Sequence, residues 1–134
     1  MRKKTVLFDL GGTLVQYYTR SEIPEVLHQA IAGVQEYLRR EGWLRLSPEE
    51  VWAGVEREKR EAGDHRVRPL EGRLARIFRL EEQACSPELL DALCRCFLKP
   101  IFARARRYDD ALPVLRRLHA DGFRLAVVSN TPWG

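Results

Sequence analysis

The sequence predicts an α/β fold in which parallel strands near the two ends of the chain form the core and a purely helical block is inserted between them. Three observations carry this. Thr5 to Leu10 is a short apolar run after a basic start, the pattern of a buried strand, and it delivers Asp9 just before the pair Gly11-Gly12. Phe123 to Val128 repeats the pattern and leads into Ser129. Between them, residues 16–99 show helical spacing and no strand pattern. The core is accordingly assigned to residues 1–15 and 100–134, and the insertion to residues 16–99.

Each element has its own local signals. After the first strand, Gly11 and Gly12 lack Cβ atoms and let backbone amides approach a ligand closely, while Thr13 adds a hydroxyl. Val15 to Arg20 is a polar and aromatic connector, and Ser21 is the expected N-cap of a first helix with Pro24 in its first turn. Val26, Leu27, Ala30, Ile31, Val34, Tyr37 and Leu38 fall on one face of that helix, which Gly42 stops. Ser47-Pro48-Glu49-Glu50 opens a second helix with a capping box and a proline at the first position. Its far end, Glu56 to Glu61, alternates in sign and predicts a solvated face. A third helix is expected after Pro69, with Leu70, Leu74, Ile77 and Phe78 apolar. Ser86-Pro87-Glu88 starts a fourth, expected to end before Pro100. Asp109 or Asp110 then caps a helix that Gly122 ends, and the second buried strand follows. A helix leading into a strand in this way predicts a right-handed crossover within a parallel sheet.

Composition narrows the function classes. With 134 residues, 45% hydrophobic and 31% charged, the chain can bury a core as an ordinary globular domain. The net charge of +4 is dispersed among acidic residues, with no basic stripe interleaved with aromatics, so no nucleic-acid partner is expected. No apolar stretch reaches the length of a membrane span, and the basic start runs directly into a short strand, so no membrane partner and a cytoplasmic location are expected. Cys85, Cys94 and Cys96 form an odd set without zinc or disulfide spacing and are expected to be reduced, helix-packed thiols.

The stretch Phe8-Asp9-Leu10-Gly11-Gly12-Thr13-Leu14 resembles the first motif of the haloacid dehalogenase (HAD) superfamily, in which a hydrophobic strand is followed by Asp, any residue, Asp, Gly and Thr. Leu125-Ala126-Val127-Val128-Ser129-Asn130-Thr131 is similar to its second motif, a strand closing on Ser or Thr. One position departs from the pattern: Gly11 stands where the phosphatases have a second Asp as general acid and base. The resemblance implies a HAD-like Rossmann-like core with a helical cap, and a hydrolase that transfers phosphate from a small phosphorylated metabolite to Asp9. It also implies Mg²⁺ held by the Asp9 carboxylate and the Gly11 carbonyl. The phosphate would be held by Leu10, Gly11, Gly12, Thr13, Ser129 and Asn130. The third motif, a Lys, and the fourth, an acidic pair, are expected beyond residue 134, which predicts that this chain alone is weak or inactive.

What Gly11 removes is a proton donor for the leaving oxygen, help worth about 10²–10⁴-fold in rate. Tyr17, His28 and His65 are candidate substitutes, each with a structural alternative. Dehalogenases of the superfamily carry Tyr at this position, and phosphonate hydrolases carry Ala with a cap Lys; Lys59, inside the charged run, is a poor match for that Lys. The alternatives are a phosphonate or carbon–halogen hydrolase, or a non-catalytic phosphate-binding or interaction module of the same fold. Trp133 is a candidate substrate contact for which packing is the stronger expectation. Two strands with an open edge leave backbone groups unpaired, which predicts a homodimer that covers them.

Overall fold

The computed structural model describes residues 3–64, 66, 68–83 and 85–130. Its elements in chain order are β1 (Thr5–Phe8), β2 (Val15–Gln16), α1 (Ile23–Arg40), α2 (Pro48–Glu61), α3 (Leu70–Ile77), α4 (Pro87–Arg104), β3 (Arg106–Arg107), α5 (Ala111–Ala120) and β4 (Arg124–Val127). Local hydrogen bonds set most helix ends. Ser47 Oγ accepts the Glu50 N–H at 3.3 Å and Glu50 Oε2 accepts the Ser47 N–H at 2.9 Å, closing the expected capping box. Gly42 and Gly122 sit in the left-handed region after α1 and α5. The next amide turns back in each case, Trp43 N to Leu38 O at 2.8 Å and Phe123 N to Leu118 O at 3.1 Å.

The first helix departs from expectation at its start. A 3₁₀ turn, Arg20–Glu22, precedes α1, and Thr19 rather than Ser21 caps it. Glu22 Oε2 accepts both the Thr19 N–H at 2.6 Å and the Thr19 hydroxyl at 2.8 Å. Thr19 is the residue with a Glu three positions on, so it alone can form the reciprocal pair.

α4 does not stop before Pro100 but runs through it to Arg104, past the expected boundary at residue 100. Proline offers no N–H to the carbonyl four residues back, here that of Cys96. That carbonyl faces Gly33 of α1, where a Cβ would lie 3.4 Å from it. Ile101 is buried beyond the proline, and the close packing of α4 on α1 carries the helix across the missing bond. Arg104 then bonds Glu22 Oε1 at 3.0 Å and Glu25 Oε1 at 2.9 Å, so the chain enters and leaves the helical block at one ion-paired point.

The hydrophobic core lies in the helices. Ile31, Val34 and Leu38 of α1, Val51 and Val55 of α2, Leu74 and Ile77 of α3, and Leu93 of α4 are buried together with Phe78 and Leu80. α2 approaches α3 most closely at Gly54, where a Cβ would meet the Ile77 carbonyl oxygen at 3.0 Å and its Cα at 3.2 Å. Backbone atoms cannot step aside, so Gly54→Ala is expected to cost about 2 kcal/mol through overpacking. A urea midpoint equal to that of the parent protein would refute this contact. Cys94 lies half-buried in α4, where burial, with Glu71 and Asp91 adding to it, pushes its thiol up to about 11, so at neutral pH it is a packed thiol.

β1 and β4 pair in parallel with Thr5 opposite Arg124 and Phe8 opposite Val127. β2 and β3 form a separate antiparallel pair, Val15 opposite Arg107. The strands were expected to be buried, and they are not. Leu7 is 63% and Val128 60% exposed. A parallel strand is buried only when further strands and helices flank it. Among the described residues the sheet has two strands, and α5 packs beside β4. The charged run at the end of α2 also differs from the expected solvated face, because Glu58 is 1% exposed. No helix among the described residues is long and apolar enough to cross a membrane.

Candidate active site

The parallel register brings the two motif loops together. The Val128 N–H donates to the Phe8 carbonyl at 2.8 Å, so Asp9 leaves β1 beside Val128, and Ser129 follows one residue later on the neighbouring strand. Adjacent strands lie about 4.8 Å apart, so the Asp9 and Ser129 backbones emerge at one sheet edge. Asp9, Ser129 and Asn130 are all exposed there. This is the carboxyl end of the strands, where open α/β sheets bind their ligands.

The loop after Asp9 is wound tightly on itself. Asp9 Oδ1 accepts the Leu10 N–H at 2.8 Å. The Leu10 carbonyl accepts the amides of Thr13, Leu14 and Val15 at 3.3, 2.9 and 3.1 Å, and the Gly12 N–H donates to Val15 O at 2.8 Å. Gly12 has φ +77°, a conformation that favours glycine. Leu14 is buried and its carbonyl accepts the Tyr108 N–H at 3.1 Å, anchoring the loop to the strand that follows α4. Gly11, Gly12 and Thr13 remain exposed around Asp9, although the amides of Leu10, Gly12 and Thr13 bond within the loop.

Position 11 has an aromatic neighbour. A Cβ there would lie 3.6 Å from Tyr17 Cε2, ordinary contact distance, so the Tyr17 ring borders the place where the phosphatase motif has its second carboxylate. Phe102 braces that ring, with centroids 6.2 Å apart and planes tilted by 43°. The other candidates stand elsewhere. His28 stacks on Trp52 at 5.3 Å between α1 and α2, and Lys59 pairs with Glu56 at 2.7 Å on α2. His65 and Trp133, with Thr131, fall outside the described residues.

Sequence reasoning missed two features. Glu58 takes a two-pronged bond from Arg76, Nε to Oε1 at 2.7 Å and the second nitrogen to Oε2 at 2.9 Å, with Arg73 Nε 3.8 Å away. These bonds hold its carboxyl below the usual range against the opposing effect of burial. The only hint was spacing: Glu58 falls on the helical face of Val51 and Val55. Arg106 and Arg107, exposed on β3 opposite Gln16 and Val15, were also missed, since a two-residue strand has no period to detect.

An Asp just past β1, a Gly-Gly-Thr turn and a Ser two residues past β4, at one edge of a parallel pair, form an arrangement of hydrolase type. The family model described as haloacid dehalogenase-like hydrolase matches residues 3–133, and the chain belongs to that family. A comparison with curated proteins found no match.

Proposed function

We propose that this HAD-like hydrolase is a phosphohydrolase of small phosphorylated molecules, with Asp9 as nucleophile. The observation that carries the reading is the parallel register that sets Asp9 beside Val128, one residue before Ser129, at the carboxyl edge. One Asp9 oxygen attacks phosphorus, the bond from phosphorus to the leaving oxygen breaks, and water then cleaves the acyl phosphate to regenerate the carboxylate. The Ser129 hydroxyl and the Asn130 and Gly11 amides are donors for the phosphoryl oxygens, with Thr13 beside them. The Leu10 and Gly12 amides reach phosphate only by leaving their partners in the loop.

The donor set suits magnesium. As the family resemblance implies, an ion here would take the Asp9 carboxylate and the Gly11 carbonyl, oxygen donors of the kind Mg²⁺ prefers, with water and substrate completing its shell. Bound there, Mg²⁺ supplies charge neutralisation on the phosphoryl oxygens. Gly11 provides no acid, and in this reading Tyr17, whose ring edge borders position 11, protonates the leaving oxygen.

The test is hydrolysis of p-nitrophenyl phosphate and of an alkyl phosphate, with and without Mg²⁺. Weak magnesium-dependent turnover, confined largely to the aryl ester, is expected, because a good leaving group needs no protonation and this chain alone is expected to be a poor catalyst. Tyr17→Phe keeps the ring and is expected to slow the alkyl ester about 10²-fold while sparing the aryl ester. Equal effects on both esters would remove Tyr17 from proton transfer. Phosphate binding with no turnover of either ester would replace the enzyme by a phosphate-binding module.

A further inference from the structure

We propose that the partly open cavity among α1, α2, α3 and α4 is a binding site for a compact, uncharged apolar group, aryl or branched alkyl, of about six heavy atoms. The cavity has a volume of about 140 Å³ and is walled by Val26 and Ile31 of α1, Val55 of α2, Leu74 and Ile77 of α3, and Ile101 of α4. Close-packed interiors hold few voids larger than one water molecule. A mainly apolar space of this size accommodates a benzene-sized guest. The cavity's charged wall residues are engaged with one another or with neighbours: Arg76 holds both oxygens of Glu58, Arg73 lies 3.8 Å from Glu58, and Lys59 bonds Glu56 at 2.7 Å. Ile23 and Lys59 line the cavity and are exposed to solvent, so the space is reachable from outside.

The cavity adjoins the candidate active site through two pairs of consecutive residues. Tyr17 borders Gly11 while Tyr18 lines the cavity; Phe102 braces Tyr17 while Ile101 lines the cavity. Neighbouring residues of the chain therefore serve the two spaces. The apolar group is therefore either a free small molecule or the apolar end of a phosphorylated substrate. The second source rests on the phosphohydrolase reading; the cavity's occupancy does not.

The experiment is a ¹⁹F NMR titration of the full chain with fluorobenzene, and with 1-fluoronaphthalene, which is too large for the space. Saturable binding of fluorobenzene alone is expected. Val26→Phe, which places a ring in the cavity, is expected to weaken it at least tenfold, with the thermal transition recorded to show a folded chain. If that variant does not fold, Ile77→Phe and the size discrimination between the two probes carry the test. No saturable binding, equal binding of both probes, or unchanged affinity in a folded filled variant overturns the proposal. Displacement of fluorobenzene by benzyl phosphate supports the site as the substrate's apolar end, and persistence supports it as the site of a separate ligand. Failure of phosphatase turnover leaves the fluorobenzene result standing, so the two readings fail separately.

Discussion

Asp9→Asn is expected to lower phosphate-ester turnover by on the order of 10³-fold or more, with the fold intact, because removing a covalent nucleophile takes away the route and not one contribution to it. The amide keeps the shape of the carboxylate and can still accept the Leu10 N–H through its oxygen. Asp9 is exposed at the end of β1, so its stability effect should stay within about 0.5 kcal/mol. Steady-state rates with p-nitrophenyl phosphate and a urea melt on the same preparation separate the two. Turnover surviving in a folded Asp9→Asn chain would assign the reaction to another group.

Glu58→Ala is expected to carry the largest stability loss, about 3 kcal/mol, the lower end for breaking a buried ion pair, since Arg76 is itself about a third exposed. The two-pronged bond and the nearby Arg73 would lose their carboxylate, and the fall in melting temperature should be about 10 °C. Replacing both partners, Glu58→Met with Arg76→Leu, should cost less than the sum of the single changes, because neither charge is then stranded. A loss under about 1 kcal/mol in Glu58→Ala would mean that solvent already screens the pair.

The pH dependence follows from the direction of the shift. The Arg76 hydrogen bonds lower the folded-state value of Glu58 below its unfolded value, which lies near about 4.3. The ion pair's contribution is therefore fully present above pH ~4.3 and is lost as pH falls through the lower, folded value. The difference in unfolding free energy between the parent protein and Glu58→Gln should be constant near neutrality and shrink in acid. A difference that grows in acid would reverse the assigned sign.

Much of the site was legible because its signals are local. Asp9 and Ser129 each close an apolar run, the glycine pair and Thr13 form the turn after the first, and strand ends together with turn residues specify such loops without reference to distant chain. The Ser47–Glu50 box and the glycines ending α1 and α5 were legible for the same reason, since their bonds span three to five residues. Tyr17 and His28 were equal candidates in the sequence, and only the structure shows which of the two rings borders Gly11.

The sequence by itself determined the order of the elements, the caps of most helices and the two loops that carry the candidate chemistry. All of these rest on hydrogen bonds and periodicity within one or two turns of chain. The tertiary structure alone decided that Glu58, 18 residues from Arg76, is buried, that α4 crosses Pro100 against Gly33, that Leu7 and Val128 stand exposed, and that the helices enclose a cavity. Each depends on which surface packs against which. A charge or proline is costly or harmless according to its neighbours in space, and those neighbours come from other helices.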